Sequence, residues 1–449
     1  MKRTSTTAVA VAAGMLFGAS SVLAADLGGN CCADLEERVA ELEATTARKG
    51  NRKVSLTISG LVNRMVLAYD SGDNIAPDDP ERTRSNTYWG IDNTNTSTRF
   101  NLTGQARINA TRNAGFNMTI EVNSGARSVT VDQRRAEAAA VCAVQTAGAV
   151  PACYAKDDHS LGLRDANVWI EDTKLGRLTL GRLTQPGPQG TIDLGGIGQI
   201  APGTVLVGNG LFFANDTTLS IGNFYDQAGN YNKRIDGIRY NSPTWQGFQL
   251  AASYGEASKT REYTTGVHPG VGGDLGNAYA FNIRYANEFN GVRVAAAFGY
   301  EVVKYDSIMG GGPARSGDNN RILGVSGSMM HVATGVFLQG GWTQHSLRIA
   351  DVKGNHWHVA GGITRNWWGI GNTSFYGEYG RGNDMLQVNT AGAIAAPSRL
   401  NFWGVGMVQN IDAAAMQIYA GYRNFDASIA GTAMPDKIHV FGAGMRINF

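Results

Sequence analysis

After Ala25 the chain holds no run of about twenty apolar residues, the length a membrane-spanning helix needs, so a helical membrane protein is excluded. Proline is scarce, at 11 of 449 residues, and after residue 50 long helical patterns are missing too. The texture there is uniform, rich in glycine, tyrosine, phenylalanine and tryptophan, which fits one large β domain better than several small ones. An excess of one charge is also missing. The chain has 39 basic and 37 acidic residues, and without Lys2 and Arg3 the two balance, which argues against a nucleic-acid partner. The four cysteines form no C-x-x-C pair. There is no G-x-S-x-G elbow and no phosphate-binding G-x-x-x-x-G-K loop, so no enzyme chemistry and no cofactor is implied. His356 and His358 share a strand face but lack a clear third ligand. They read as lumen or loop residues, and no metal is expected.

The N-terminus departs from this texture. Lys2 and Arg3 precede an uncharged run from Ala8 to Ala19, and Val22-Leu23-Ala24 supplies small residues. The pattern predicts a secretory signal over 1–24, cut after Ala24. Residues 25–52 then form a separate segment, with Leu35, Val39, Leu42 and Thr46 spaced four, three and four apart. That seam predicts a short helix over 33–48, either a self-associating coiled coil or an amphipathic linker, since about two heptads are marginal alone. Cys31 and Cys32 are adjacent and admit inter-chain pairing or free thiols. Cys142 and Cys153 bracket a polar, alanine-rich stretch, where an oxidising compartment allows a loop disulfide.

From Lys53 to Phe449 the apolar period becomes 2. Phe116, Met118, Ile120 and Val122 alternate with Asn117, Thr119 and Glu121; Phe281, Ile283 and Tyr285 alternate with Asn282 and Arg284. Connections alternate as well. Short ones such as 112–115, 174–176, 290–291 and 412–414 contrast with long polar ones at 70–96, 132–160, 185–232, 257–276, 306–319, 347–354, 386–397 and 428–436. Aromatics sort with the ends: Trp245, Phe289, Trp367 and Trp368 lie beside short turns, and Tyr69, Tyr254, Tyr300 and Trp357 lie nearer long loops. Phe441, Ala443, Met445, Ile447 and Phe449 share one face, and the chain stops there. Together these features predict an all-β fold, a sixteen-stranded antiparallel transmembrane β-barrel with a short N-terminal helix, in the outer membrane of a Gram-negative bacterium. Its last strand must pair with its first to remove the sheet edge.

Three segments carry a family resemblance. Arg164-Asp165-Ala166-Asn167-Val168-Trp169-Ile170, a short turn and Gly176-Arg177-Leu178-Thr179-Leu180-Gly181-Arg182 resemble the strand–turn–strand before the constriction loop of Gram-negative general porins. Arg234 to Pro243 resembles the strand after that loop. Asp34-Leu35-Glu36-Glu37-Arg38-Val39-Ala40-Glu41-Leu42-Glu43, followed closely by a first strand, is similar to alphaproteobacterial porins of the rhizobial type. The resemblance spans roughly the whole mature chain. It implies a homotrimer, a third loop over about 184–232 folded into the lumen, and passive diffusion of small hydrophilic solutes and ions. It also implies Phe449 as the signal read by the barrel assembly machinery. Outer-membrane lipid and lipopolysaccharide are the expected surroundings. Asp193 is the acidic candidate on the loop, and Arg99, Arg107, Arg164 and Arg182 are the facing wall candidates. Arg182 shares parity with Leu178 and Leu180, which points it outward unless Gly181 permits a bulge. The loop reads Pro186-Gly187-Pro188-Gln189-Gly190 where the family's known motif is Pro-Glu-Phe-Gly-Gly. A solute-specific channel is the alternative. A barrel phospholipase would need a nucleophile, a histidine and an acid that the sequence does not bring together. An envelope tether through 33–48 is a third reading.

Overall fold

The computed structural model describes residues 54–72, 85–124, 159–200, 211, 220–225, 234–257, 274–307, 319–348, 350–389, 395–432 and 436–449. The expected signal, the helix over 33–48, Cys31, Cys32 and the Cys142–Cys153 pair lie outside them.

The strands are β1 (Ser55–Asp70), β2 (Ser85–Asp92), β3 (Arg99–Arg107), β4 (Arg112–Ser124), β5 (His159–Asp172), β6 (Gly176–Thr184), β7 (Arg234–Asn241), β8 (Phe248–Ala257) and β9 (Asp274–Phe289). They continue as β10 (Val292–Ser307), β11 (Asn319–His331), β12 (Val336–Leu347), β13 (Val352–Arg365), β14 (Thr373–Asn383), β15 (Ser398–Ile411), β16 (Met416–Ile429) and β17 (Ile438–Asn448). Each pairs antiparallel with its neighbour, and β17 returns to β1 from Leu61↔Asn448 to Asp70↔His439. The sheet is closed: every strand but β2, which is laddered to β1 alone, has at least two partners, so the barrel wall closes on itself against lipid. At the seam the backbone of Phe449 exchanges hydrogen bonds with Gly60, at 3.0 and 2.8 Å.

Seventeen strands occupy sixteen positions. β2 pairs with Arg64–Asp70 of β1, and β3 pairs with Ser55–Leu61 of the same strand. Between them a single 3-10 turn, Thr94–Thr96, breaks the ladder, and the Asp92 carboxylate holds the break by accepting from the Thr98 amide and hydroxyl at 3.1 and 2.8 Å. β2 therefore stands inside the stretch 70–96 that reads as one loop. The stretch 347–354, also expected as a long loop, is a short connection, because β12 and β13 stay paired up to Leu347↔Val352.

The outer surface is apolar where alternation placed lipid. Val168, Leu180, Leu250 and Leu338 are 57, 58, 52 and 50 % exposed, a pattern suited to hydrocarbon and not to water. Trp245, Phe289, Trp368 and Phe449 ring the end with short turns, and Trp342, Trp357, Tyr379, Trp403 and Tyr422 ring the other, with Trp357 against Tyr379 at 5.5 Å and Trp403 against Tyr422 at 5.3 Å. The main apolar cluster lies inside the barrel. Met65, Leu67, Phe337, Leu400, Phe402 and Phe425 of the wall pack with Ile197, Ile200, Phe224 and Tyr225 of the connection between β6 and β7.

Candidate functional site: the lumen and its inner loop

That connection, the third loop, leaves β6 and turns into the lumen. Small wall residues let it lie flat. Gly299, Gly324 and Gly341 are inward positions on β10, β11 and β12, and together they form a groove for Pro188 and Gly190. A Cβ at Gly341 would stand 2.1 Å from the Gly190 carbonyl oxygen, so only glycine admits so close an approach. Polar wall groups then pin the loop backbone, which would otherwise be buried unsatisfied. Asn282 donates to the Pro186 carbonyl. Thr364 and Ser374 donate to the Gly195 carbonyl at 2.8 and 2.7 Å. Asn93 and Asn95 donate to the Gln199 carbonyl at 2.9 and 3.0 Å, and Asn63 donates to the Gln199 side chain at 3.1 Å.

His358 holds both limbs of the loop. Its Nε2 is 2.8 Å from the Thr191 hydroxyl on the outgoing limb, and its Nδ1 is 3.3 Å from the Tyr225 hydroxyl on the returning limb. Beneath the loop, Glu378 and Arg423 pair at 2.6 Å with side-chain exposures of 0 and 3 %. They sit on β14 and β16, and Gly404 of β15 lies between them in the ladder. A Cβ on Gly404 would be 2.5 Å from the Glu378 carboxylate and 3.0 Å from the Arg423 side chain. The missing side chain lets charges two strands apart meet.

The described part of the loop lies against the wall from β8 round to β1, and among the described residues the arc of β3 to β7 faces the open lumen. Arg99 starts β3 on the inner face. Arg164 is the extra residue of a bulge between Leu163 and Asp165, and it pairs with Glu121 at 3.2 Å. Arg234 lies 3.9 Å from Asp165. Arg239 donates to the Thr184 carbonyl and to Asn241 at 2.8 and 2.9 Å. Lower on this arc a water-accessible cavity of about 710 Å³ is lined by Asn117, Asn167, Arg177, Arg239 and Gln249 together with the carboxylates Asp165, Glu171 and Asp172, and the Arg177 guanidinium rests 4.0 Å over the Trp169 ring. Arg99, Arg177, Arg239, Arg284 of β9 and Arg446 of β17 have no carboxylate within ion-pairing distance among the described residues.

Asp193 sits on the loop stretch pinned to β13 and β14. Since β13 stands eight of sixteen positions from β5, it occupies the side of the lumen opposite Arg164. Its side chain meets lumen water and accepts from the Gly198 amide at 2.7 Å. Enclosure raises its pKa, while the amides of Ile197, Gly198, Gly196 and Gly195 oppose that rise. Arg107 lies at the short-turn end of β3, bonded to the Asn109 carbonyl at 3.1 Å, away from the loop. Arg182 keeps the register of Leu178 and Leu180. Gly181 has φ +124°, yet β6 pairs without a break to Ala166 and Asp236. Its guanidinium lies 3.9 Å from Asp236 and donates to the Leu163 carbonyl at 3.1 Å. Arg177, Arg234 and Arg239 were legible as polar-parity positions inside the two quoted motifs. The glycine groove had no such signal, because a glycine facing a loop looks like any other, and His358 was legible as a lumen or loop residue but not by its two loop partners.

A closed sixteen-position barrel, apolar outside and narrowed inside by its own loop, is a channel-forming membrane barrel. The profile of the Gram-negative porins matches residues 5–430, and the chain belongs to that family. It is an outer-membrane diffusion channel that crosses the membrane with its strands. Its fold is similar to OprB of Pseudomonas putida, with TM-score 0.53 and 12 % identity over 93 % of this chain and 97 % of that one. An anion-selective porin from Comamonas acidovorans is similar with TM-score 0.50 and 13 % identity over 88 % and 100 %. A trimer form of OmpT of Vibrio cholerae has TM-score 0.50 and 11 % identity over 88 % and 99 %. No curated protein matches the chain.

Proposed function

We propose that the protein is a non-specific pore of the rhizobial type that favours small anions, works as a homotrimer and carries no catalytic site. The lumen-facing arginines carry this reading. Among the described residues, Arg99, Arg177 and Arg239 on the arc of β3 to β7, and Arg284 and Arg446 beyond it, have no carboxylate within ion-pairing distance, whereas Glu121 and Asp165 are each engaged by an arginine. In a confined lumen, fixed charge of one sign raises the local concentration of the opposite ion. The Comamonas porin of similar fold is itself anion-selective. Asp193 and Arg164 face one another across the lumen, with Arg99 beside Arg164. Arg107 acts only at the periplasmic mouth, and Arg182 acts outside the pore. The trimer reading is supported by the trimeric form of the Vibrio protein and by the outer face of β3 to β5, where beyond the Arg112–Asp172 pair at the short turn the apolar Phe100, Met118, Ile120, Leu161 and Leu163 reach towards the long-loop end. Residues 1–24 would be removed on export, 33–48 would help to associate the subunits, and Cys142–Cys153 would close a bridge in the second loop.

Reversal potential across a planar bilayer under a potassium chloride gradient tests the preference. The expected sign is that of a chloride-favouring pore, and Arg99→Gln/Arg239→Gln/Arg284→Gln should move it towards potassium. A potassium-favouring wild type ends the reading. Swelling of proteoliposomes in neutral sugars of rising size should fall smoothly without saturation; saturation would favour the solute-specific alternative.

A further inference from the structure

Towards the short turns, the arc of β5 to β8 encloses the cavity of about 710 Å³. That is the size of a pocket for a small organic molecule, and more than one inorganic ion fills. Its lining holds two cations, Arg177 and Arg239. They are diagonal neighbours, since Arg177 stands opposite Asn241 on the ladder and Arg239 lies two residues from Asn241. Both are held in place. Gly115 leaves room for the Trp169 ring, from which a Cβ would stand 2.5 Å, and that ring carries the Arg177 guanidinium. Arg239 donates through Nε to Asn241 and through one terminal nitrogen to the Thr184 carbonyl. Its other terminal nitrogen has no partner among the described residues.

The charges of the lining nearly cancel. Asp172 is held by Arg112 at 2.9 Å, and Asp165 lies 3.9 Å from Arg234, so each has a cation from outside the cavity. Glu171 is the ladder partner of Arg177 and offsets its charge at longer range. Arg239 is then the excess charge of the described lining, and the nearby Arg284 adds to the positive potential around it. Glu171 and Asp165 oppose a dianion, whereas a single negative charge matches. The remaining groups suit hydroxyls. Asn117, Asn167, Asn241 and Gln249 present amides. Among the described residues no hydrogen bond occupies the Asn241 amide nitrogen or the Gln249 amide oxygen. Amide donors beside carboxylate acceptors satisfy both roles of a hydroxyl group.

We propose that this cavity binds sugar acids, polyhydroxylated monocarboxylates, with the carboxylate on Arg239 and Arg177 and the hydroxyls on Asn241, Gln249 and Glu171. Guanidinium forks match carboxylate oxygens in twos. Acetate brings the charge without the hydroxyls and glucose the hydroxyls without the charge, so each engages only part of the lining. The proposal rests on the anion preference of the pore and names a solute that this preference alone does not select.

The test is single-channel recording of the whole protein in a planar bilayer at about 0.1 M potassium chloride, where screening is modest, with gluconate as the probe. Gluconate should interrupt the current in discrete events whose frequency saturates with concentration. Glucose or acetate at the same concentration should bind roughly tenfold more weakly. Arg239→Lys keeps the charge and loses the fork. It should weaken gluconate binding roughly tenfold and leave the reversal potential in a potassium chloride gradient unchanged. Gln249→Leu leaves Asn241 on Arg239, and should weaken gluconate several-fold and acetate not at all. If a variant fails to insert, the wild type against gluconate, glucose, acetate and succinate decides alone. Equal interruption by acetate or glucose, tighter binding of succinate, or gluconate binding untouched by either variant overturns the proposal. A chloride-favouring pore that gluconate does not interrupt overturns it with the anion reading intact. A potassium-favouring pore ends that reading, and the proposal with it.

Discussion

Replacing the third loop, from Gln185 to Lys233, with a short glycine–serine hairpin is expected to raise single-channel conductance roughly twofold or more. Thr184 and Arg234 are ladder partners, so a tight turn can close β6 onto β7 without moving the barrel. The wall from β8 to β1 would then face an open lumen of the width that sixteen to eighteen strands leave. Larger neutral sugars should pass in the swelling assay. Stability should fall at the same time, because Leu400, Phe402 and Phe425 lose the apolar loop residues that cover them. An unchanged conductance would mean that the loop is not the narrowing element.

Arg423→Met should lower the unfolding free energy by about 3–5 kcal/mol, the cost of leaving one buried charge without its partner. Glu378 has no exposed side-chain surface and takes both of its strong hydrogen bonds from Arg423, at 2.6 and 3.3 Å. Adding Glu378→Leu should recover most of that loss, since a well-packed apolar pair often replaces a buried ion pair at little cost. Urea unfolding of the detergent-solubilised protein measures both. A single variant as stable as wild type would show that lumen water reaches the pair.

The barrel was readable in the sequence because lipid and water impose opposite demands on alternate residues. β4, β8 and β9 show it cleanly, with Phe116, Leu250 and Ile283 outward beside Asn117, Ser253 and Asn282. β15 did not follow the rule, because Leu400 and Phe402 point inward and Trp403 and Val405 point outward. Its inner face meets the third loop and not water, so both faces are apolar. β2 was missed for a related reason. It is a short strand with buried Ile91 and Asp92, covering only the upper half of β1. Of the proposed pore residues, Arg99, Arg164 and Asp193 carry a parity or motif signal, and the parity of Arg182 points it outward. What parity could not supply was the path of the loop. That path depends on long-range closeness, Pro188 on Gly299 and Gly324, and Thr191 and Tyr225 on one imidazole, which no local pattern encodes.

Single-channel recording of the refolded protein in a planar bilayer tests the central claim most directly. A water-filled barrel in each of three subunits predicts open steps in groups of three equal levels, with current rising in proportion to salt concentration. A preparation that is folded by its spectrum, inserts into the bilayer and passes no current would contradict a hollow lumen.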